Sequence, residues 1–124
     1  MGKKKKLKIG NIVNIFEKTP AYPIPYASGL GVVLGKTIGG YEYKIKNLTT
    51  LRERWYEDKD LEDVTDVYPN LLTNCCLKYT ERGMTYYYRI TAVKLEDGEI
   101  YVWCTYDHFW HNLKDLEKQK FELV

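Results

Sequence analysis

Hydrophobic and polar residues alternate along most of this chain, in short runs separated by glycine-containing turns. Between residues 41 and 46, apolar and charged side chains alternate one by one, which is typical of a strand with one face buried and one face in water. Residues 100 to 106 alternate in the same way, but aromatic side chains also fall on their second face. Asp97-Gly98 precedes that run as a hairpin turn signal. The pattern predicts a mainly β protein.

The N-terminal third of the chain contains two segments without this alternation. Residues 1 to 7 hold four consecutive lysines, which predicts a disordered basic tail. Residues 19 to 29 contain three prolines. Because proline lacks an amide donor and fixes φ, we predict a long surface loop there.

Two segments of the chain share one pattern. Residues 55 to 62 read WYEDKDLE and residues 110 to 117 read WHNLKDLE, so five of eight positions coincide. Each copy closes a run of alternating residues, which indicates that one β-rich unit occurs twice. Units of about 60 residues bury little apolar surface alone. We therefore predict two units, 8–65 and 71–124, with the second packed on the first.

The order of predicted elements resembles a known small fold. A strand, a loop, a hairpin, a fourth strand, a tight turn and a short closing strand are similar to the SH3-like small barrel of Tudor and KOW-type domains. The segments that carry the resemblance are Lys8 to Val13 and Trp55 to Val64. The second copy lacks the opening Gly-x-x-Val and the proline-rich segment. The resemblance implies two packed SH3-like small barrels or half-barrels.

The end of the second copy has an alternative interpretation. Asp107 is a suitable N-cap for a helix that would carry Phe109, Leu113 and Leu116 on one stripe. A C-terminal helix near 108–119 would make the fold α+β instead of mainly β.

Composition and charge indicate the cellular compartment in which the protein is expected. The net charge is +2, but residues 1 to 8 hold five lysines, which leaves a mildly acidic remainder of 14 basic and 17 acidic residues. The sequence contains no apolar run near the roughly 18 residues that span a bilayer. Three cysteines, two of them adjacent, do not suggest a disulfide framework. We expect a cytoplasmic protein without a membrane segment.

One set of residues has the chemistry of a metal site. Cys104, His108 and His111, with Cys75 or Cys76 as a fourth ligand, are zinc-binding residue types. The spacing lacks the closely spaced cysteine pair of structural zinc sites. We therefore interpret the cysteines as small apolar residues, and we expect neither metal, cofactor nor catalytic activity.

Aromatic residues are the stronger functional signal. The chain has 18 Phe, Trp and Tyr residues, more than a core of this size hides. The following seven are expected to form an aromatic rim: Tyr22, Tyr26, Tyr41, Tyr43, Trp55, Tyr87 and Trp110. Exposed rings bind peptides or unstacked bases at low entropic cost. We predict a non-enzymatic module that binds a protein partner through this rim and the proline-rich loop, for example a small phage or accessory protein that inhibits a host enzyme.

Nucleic-acid binding is the alternative function. It would combine stacking on these rings with phosphate contacts from basic side chains. The candidate lysines are Lys3, Lys4, Lys5, Lys6, Lys36, Lys44 and Lys46.

Overall fold

The protein contains two small β-units. Its computed structural model describes residues 6–19, 22–37, 39, 42–105, 108–116 and 118–124. The chain divides between Val64 and Thr65 into two compact units. Each unit has one five-stranded antiparallel sheet. The prediction of a mainly β fold is confirmed.

The first unit forms a four-stranded meander that a fifth strand completes. Its strands are β1 (Ile12–Thr19), β2 (Tyr22–Lys36), β3 (Glu42–Asn47), β4 (Glu53–Glu57) and β5 (Leu61–Asp63). A short 3-10 turn, Asp58–Asp60, separates the last two strands. The sheet order is β4-β3-β2-β1-β5, so the last strand returns to pair with the first.

The second unit has the same strand order. A 3-10 segment, Pro69–Asn74, precedes its first strand. The strands are β6 (Cys76–Glu81), β7 (Met84–Glu96), β8 (Glu99–Cys104), β9 (Phe109–Asn112) and β10 (Phe121–Leu123), with a 3-10 turn at Leu113–Asp115. The sheet order β10-β6-β7-β8-β9 again places the last strand beside the first.

The repeated eight-residue pattern folds in the same way over its first six positions. Trp55 lies in β4 and Trp110 in β9, and each strand runs directly into a three-residue 3-10 turn. The copies diverge at the seventh position. Leu61 begins β5, whereas Leu116 ends its turn in a right-handed helical conformation. The repeated sequence therefore corresponds to the junction between the fourth strand of each unit and the 3-10 turn that follows it.

Alternation explains the core of the first unit. Along β3 the side chains of Tyr43 and Ile45 are buried while their neighbours are not. They pack in one cluster with Val13, Ile15, Val33 and Leu7. Leu7 is 4% exposed, so the core begins within the segment that the sequence assigns to the tail. Residues 1 to 5 of that tail lie outside the described residues.

The second unit buries a comparable set of residues. Its fully or nearly fully buried apolar side chains are Leu72, Cys75, Leu77, Ile90, Ile100, Val102, Cys104, Leu113, Leu116 and Leu123. They come from the strands and from both 3-10 segments, so these short turns belong to the packed structure.

The surface loop predicted over residues 19 to 29 is wrong over residues 22 to 29, which form the first half of β2. This half pairs with β1, for example Tyr26 with Glu17, whereas β3 joins the opposite side of β2 only from Gly31 onward. A strand with a partner on one side tolerates proline, because the missing amide donor can face away from the ladder. The pairing shifts register between Glu17 and Thr19.

The alternative C-terminal helix is also wrong. Residues Phe109–Asn112 form β9, which pairs with β8, and Leu113–Asp115 form a 3-10 turn. The Asn112 side chain accepts a hydrogen bond from the Lys114 amide at 3.0 Å. The backbone N–H and C=O groups that a helix would pair locally are paired with β8 instead. The helical periodicity of the sequence reflects only near neighbours, so it gives no information about a partner strand.

Two glycines of β2 provide a test of this packing. A Cβ at Gly31 would clash with Ile45 and lie 3.0 Å from the backbone oxygen of Lys46, whereas a Cβ at Gly35 would meet nothing within 4 Å. We expect Gly31→Ala to lower the free energy of unfolding by about 2 kcal/mol and Gly35→Ala to change it by less than about 0.5 kcal/mol. Urea denaturation followed by circular dichroism measures both, and equal midpoints would contradict the close approach of β2 and β3.

Candidate functional site

The structure distributes the predicted aromatic rim over several surfaces. Trp55 and Tyr87 are exposed, on β4 and β7. Trp110 on β9 is half-buried. Tyr22 and Tyr26 belong to β2, but their side chains are outside the described part of the structure. Tyr41 lies entirely outside the described residues.

Tyr43 does not belong to an exposed rim. Its side chain is 2% exposed and packs with Ile45 in the core of the first unit. It points inward because the alternation along β3 places Tyr43 and Ile45 on the same face. The prediction that Tyr43 is an exposed binding residue is wrong, since the ring is enclosed by the fold.

The two repeated tryptophans lie on the outer faces of their sheets. Trp55 is directly opposite Lys44 on β3, and Trp110 is directly opposite Trp103 on β8. The Trp103 and Trp110 rings pack at a centroid distance of 5.4 Å. Trp55 is 53% exposed. Neither tryptophan fills a core, so the repeated residue has a surface role in both units.

A lysine lies over the outer-face rings of the second unit. The Lys94 Nζ is 4.7 Å from the centroid of the Trp110 ring and 5.2 Å from that of Tyr101. A cation over the face of an aromatic ring is attracted by the negative potential of that face. The same ammonium lies 3.4 Å from Glu96 Oε2. This surface therefore holds a positive charge from its own chain.

A second group of rings lies on the opposite face of the same sheet, and we call it the ring cluster. Its members are Tyr79, Tyr86, Tyr88, Phe109, His111 and Phe121. Phe121 is central, with ring centroids 5.1 Å from Tyr79, 5.7 Å from Tyr88 and 5.0 Å from His111. Strand pairing assembles the cluster, because Phe121 on β10 is opposite Tyr79 on β6, which is opposite Tyr86 on β7.

Part of the ring cluster reaches solvent. Tyr86 is 41% exposed and Phe109 is 56% exposed. The neighbouring Met84 is 58% exposed, and its sulfur accepts a hydrogen bond from the Tyr86 hydroxyl at 3.5 Å. An exposed group of large apolar side chains is typical of an interaction surface. The sequence patterns did not indicate Met84, Tyr86 or Phe109 as binding residues. Tyr86 and Tyr88 are two positions apart, which places them on the same face of a strand.

The surroundings of Tyr79 disfavour ionisation of its phenol. Desolvation among the neighbouring rings, followed by the nearby Glu81 carboxylate, raises the pKa of Tyr79 above its ordinary value. The ring cluster therefore includes a phenol beside an acidic side chain.

The predicted basic residues do not form a continuous positive strip on the described surface. Lys44 and Lys46 lie on the outer face of β3, and Glu53 on β4 is opposite Lys46 and 3.9 Å from the Lys44 Nζ. Lys36 is exposed at the end of β2, and Lys6 is exposed near the N-terminus. Lys3, Lys4 and Lys5 lie outside the described residues.

The candidate zinc ligands Cys104, His111 and His108 lie in different environments. Cys104 is buried, with its sulfur 4.0 Å from the carbonyl oxygen of Tyr88. His111 is buried, with Nδ1 3.3 Å from Gln119 Oε1, whereas His108 is exposed with its ring centroid 6.1 Å from that of Trp103. Over the part of the chain that the structure describes, no three His, Cys, Asp or Glu side chains are grouped to hold a metal ion.

No protein-family model matches the chain, and no curated protein matches its sequence. Among the described residues, no helix has the length and apolar character needed to cross a membrane. The surfaces of the two units are therefore the features that indicate a function.

The positions of the tryptophans lead to a stability prediction. We expect Trp55→Ala to lower the free energy of unfolding by about 1 kcal/mol or less, because its ring is mostly in water. Trp110→Ala should cost about 2 to 3 kcal/mol, since it loses contacts with Trp103 and Lys94. Ile45→Ala, a buried reference, should cost about 3 to 4 kcal/mol. Guanidinium denaturation checks the order, and a loss at Trp55 as large as at Ile45 would contradict it.

Proposed function

We propose that the protein is a non-enzymatic module that binds a protein partner, with the ring cluster of the second unit as its main contact surface. The exposure of Tyr86, Phe109 and Met84 around a packed set of rings is the observation that carries this proposal. Rings held by neighbouring rings lose little conformational freedom on binding, so their burial against a partner is favourable.

The fold is consistent with such a role. We propose that each unit is an SH3-like small barrel of the Tudor or KOW kind, supported by the shared strand order and by the 3-10 turn before the last strand. Binding residues frequently lie in loops and at strand ends that a rigid sheet holds in place. Phe109 begins β9, and Met84 and Tyr86 lie at the start of β7.

Charge favours a protein partner over a nucleic acid at this surface. Residues 65 to 124 contain seven basic and nine acidic residues, a net charge of −2. A nucleic-acid interface is typically basic, since it neutralises phosphates. In the first unit, Lys44 already lies near Glu53. A surface of rings in an acidic unit is better suited to apolar side chains of a protein.

Affinity capture tests the proposal. The tagged wild-type protein and the double variant Tyr86→Ala/Phe109→Ala are compared in extracts of the source organism, with mass spectrometry of the captured proteins. We expect the variant to retain less than about one tenth of the specific partner, a loss of ~1.4 kcal/mol or more. Nuclease treatment should leave wild-type capture unchanged.

Val67→Ala provides the matched control, because Val67 is 66% exposed and lies outside the ring cluster. It should capture as much partner as the wild type. Equal capture by the double variant and the wild type would overturn the assignment of the surface. Loss of capture after nuclease treatment would overturn the protein as partner and support a nucleic acid.

A further inference from the structure

Trp55 and Trp110 occupy equivalent positions, but their rings are covered differently. Each lies on the outer face of the fourth strand of its unit, three residues before the 3-10 turn. The Lys94 ammonium lies 4.7 Å from the centroid of the Trp110 ring. No lysine or arginine of the described residues lies over Trp55 in this way. In the second unit Lys94 therefore covers the tryptophan ring, whereas in the first unit no described cation covers it.

The cross-strand pair next to Trp55 on the outer face is acidic, whereas the equivalent pair next to Trp110 is neutral. Two residues further along the outer face, Glu42 is directly opposite Glu57. The corresponding pair in the second unit is Tyr101 and Asn112. Like charges directly opposite each other across antiparallel strands repel and destabilise the pair. A cation placed between these carboxylates would relieve the repulsion.

The described cations of the first unit compensate this pair only in part. The Lys59 Nζ lies 3.4 Å from Glu57 Oε2, but both side chains are more than half exposed, so the interaction is weak. The Lys44 Nζ is 3.9 Å from Glu53, which lies on the other side of Trp55 from Glu57. The acidic pair and the ring face therefore remain open to a positive charge from outside.

There is also space beside this strand for an incoming side chain. An open pocket of about 690 Å³ follows β4, and Trp55 and Glu57 contribute to its lining together with Glu17 and Asp60. Concave surfaces with a few convergent polar groups are typical of binding sites. Arg54 and Lys59 also line the pocket, so its three carboxylates exceed its cations by one. This small excess of negative charge suits a cationic side chain.

We infer that Trp55, Glu42 and Glu57 form a docking position for an arginine or lysine side chain of a partner protein. The inference rests on the proposed protein-binding function and adds the chemistry that the partner must carry. Arginine fits best, since its planar guanidinium stacks on an aromatic ring while its edge donates hydrogen bonds to carboxylates. The second unit forms the corresponding contact with its own Lys94.

A pair of short peptides tests this position without knowledge of the partner. The probes are acetyl-Gly-Arg-Gly-amide and the same peptide with citrulline, which keeps the shape and removes the charge. Each is titrated into ¹⁵N-labelled protein, and the indole N–H signal of Trp55, assigned with Trp55→Phe, is followed by NMR. We expect the arginine peptide to shift this signal, with a Kd on the order of millimolar, and the citrulline peptide to bind at least about threefold more weakly.

Neutral isosteric variants test the carboxylates. Glu42→Gln and Glu57→Gln should each weaken the arginine peptide about threefold, and the double variant about tenfold. Glu122→Gln, an exposed carboxylate of the second unit, is the matched control and should leave binding unchanged. Dispersed amide spectra of all variants show that each is folded. Equal binding of both peptides, an unmoved Trp55 indole, or unchanged binding by the double variant would overturn the inference.

The two proposals fail separately. If the ring-cluster variant loses the captured partner while the arginine peptide does not shift Trp55, the docking position is wrong and the protein-binding function stands. If the peptide binds at Trp55 as expected while the ring-cluster variant captures the partner normally, the main contact surface is wrong.

Discussion

Pairing of the first strand with the last is the interaction on which each unit depends. In the first unit Leu61 lies opposite Ile15, and in the second Phe121 lies opposite Tyr79. The pairing joins the two ends of each unit, so chain entropy opposes it and apolar burial must offset that cost. A unit of this size buries little apolar surface. The last strand adds to it, because Leu61 in the first unit and Phe121 in the second cover part of the inner face of the meander. The core of the first unit and the ring cluster of the second both require it.

The two units use this common strand order for different chemistry. On the inner face, the first unit closes over an aliphatic core that contains Tyr43, whereas the second collects rings around Phe121. Rings are too large to be hidden completely in so small a sheet, and some of their area remains in water. Among the described residues, the second unit therefore forms a packed group of rings that is partly exposed.

The outer faces show the same divergence around one repeated residue. Trp110 has Trp103 opposite it and Lys94 over it, whereas Trp55 has Lys44 opposite it and an acidic pair beside it. A tryptophan face attracts cations in either setting. Among the described residues, a cation lies over the ring of Trp110 and none lies over that of Trp55. We propose two contacts of different character on this basis, an apolar one at the ring cluster and an ionic one at Trp55.

Alternation and turn residues in the sequence determined that the protein is mainly β and contains two related units, because both features act between near neighbours. The sequence also indicated the repeated junction after Trp55 and Trp110. It did not decide which tyrosines are exposed: Tyr43 is buried, and the ring cluster is formed from four strands that are separated in the chain. Strand partners, register shifts and the single-sided pairing that admits prolines into β2 arise from long-range backbone hydrogen bonds. Only the tertiary structure decides these features, since a one-residue change in register moves every side chain of a strand to the opposite face.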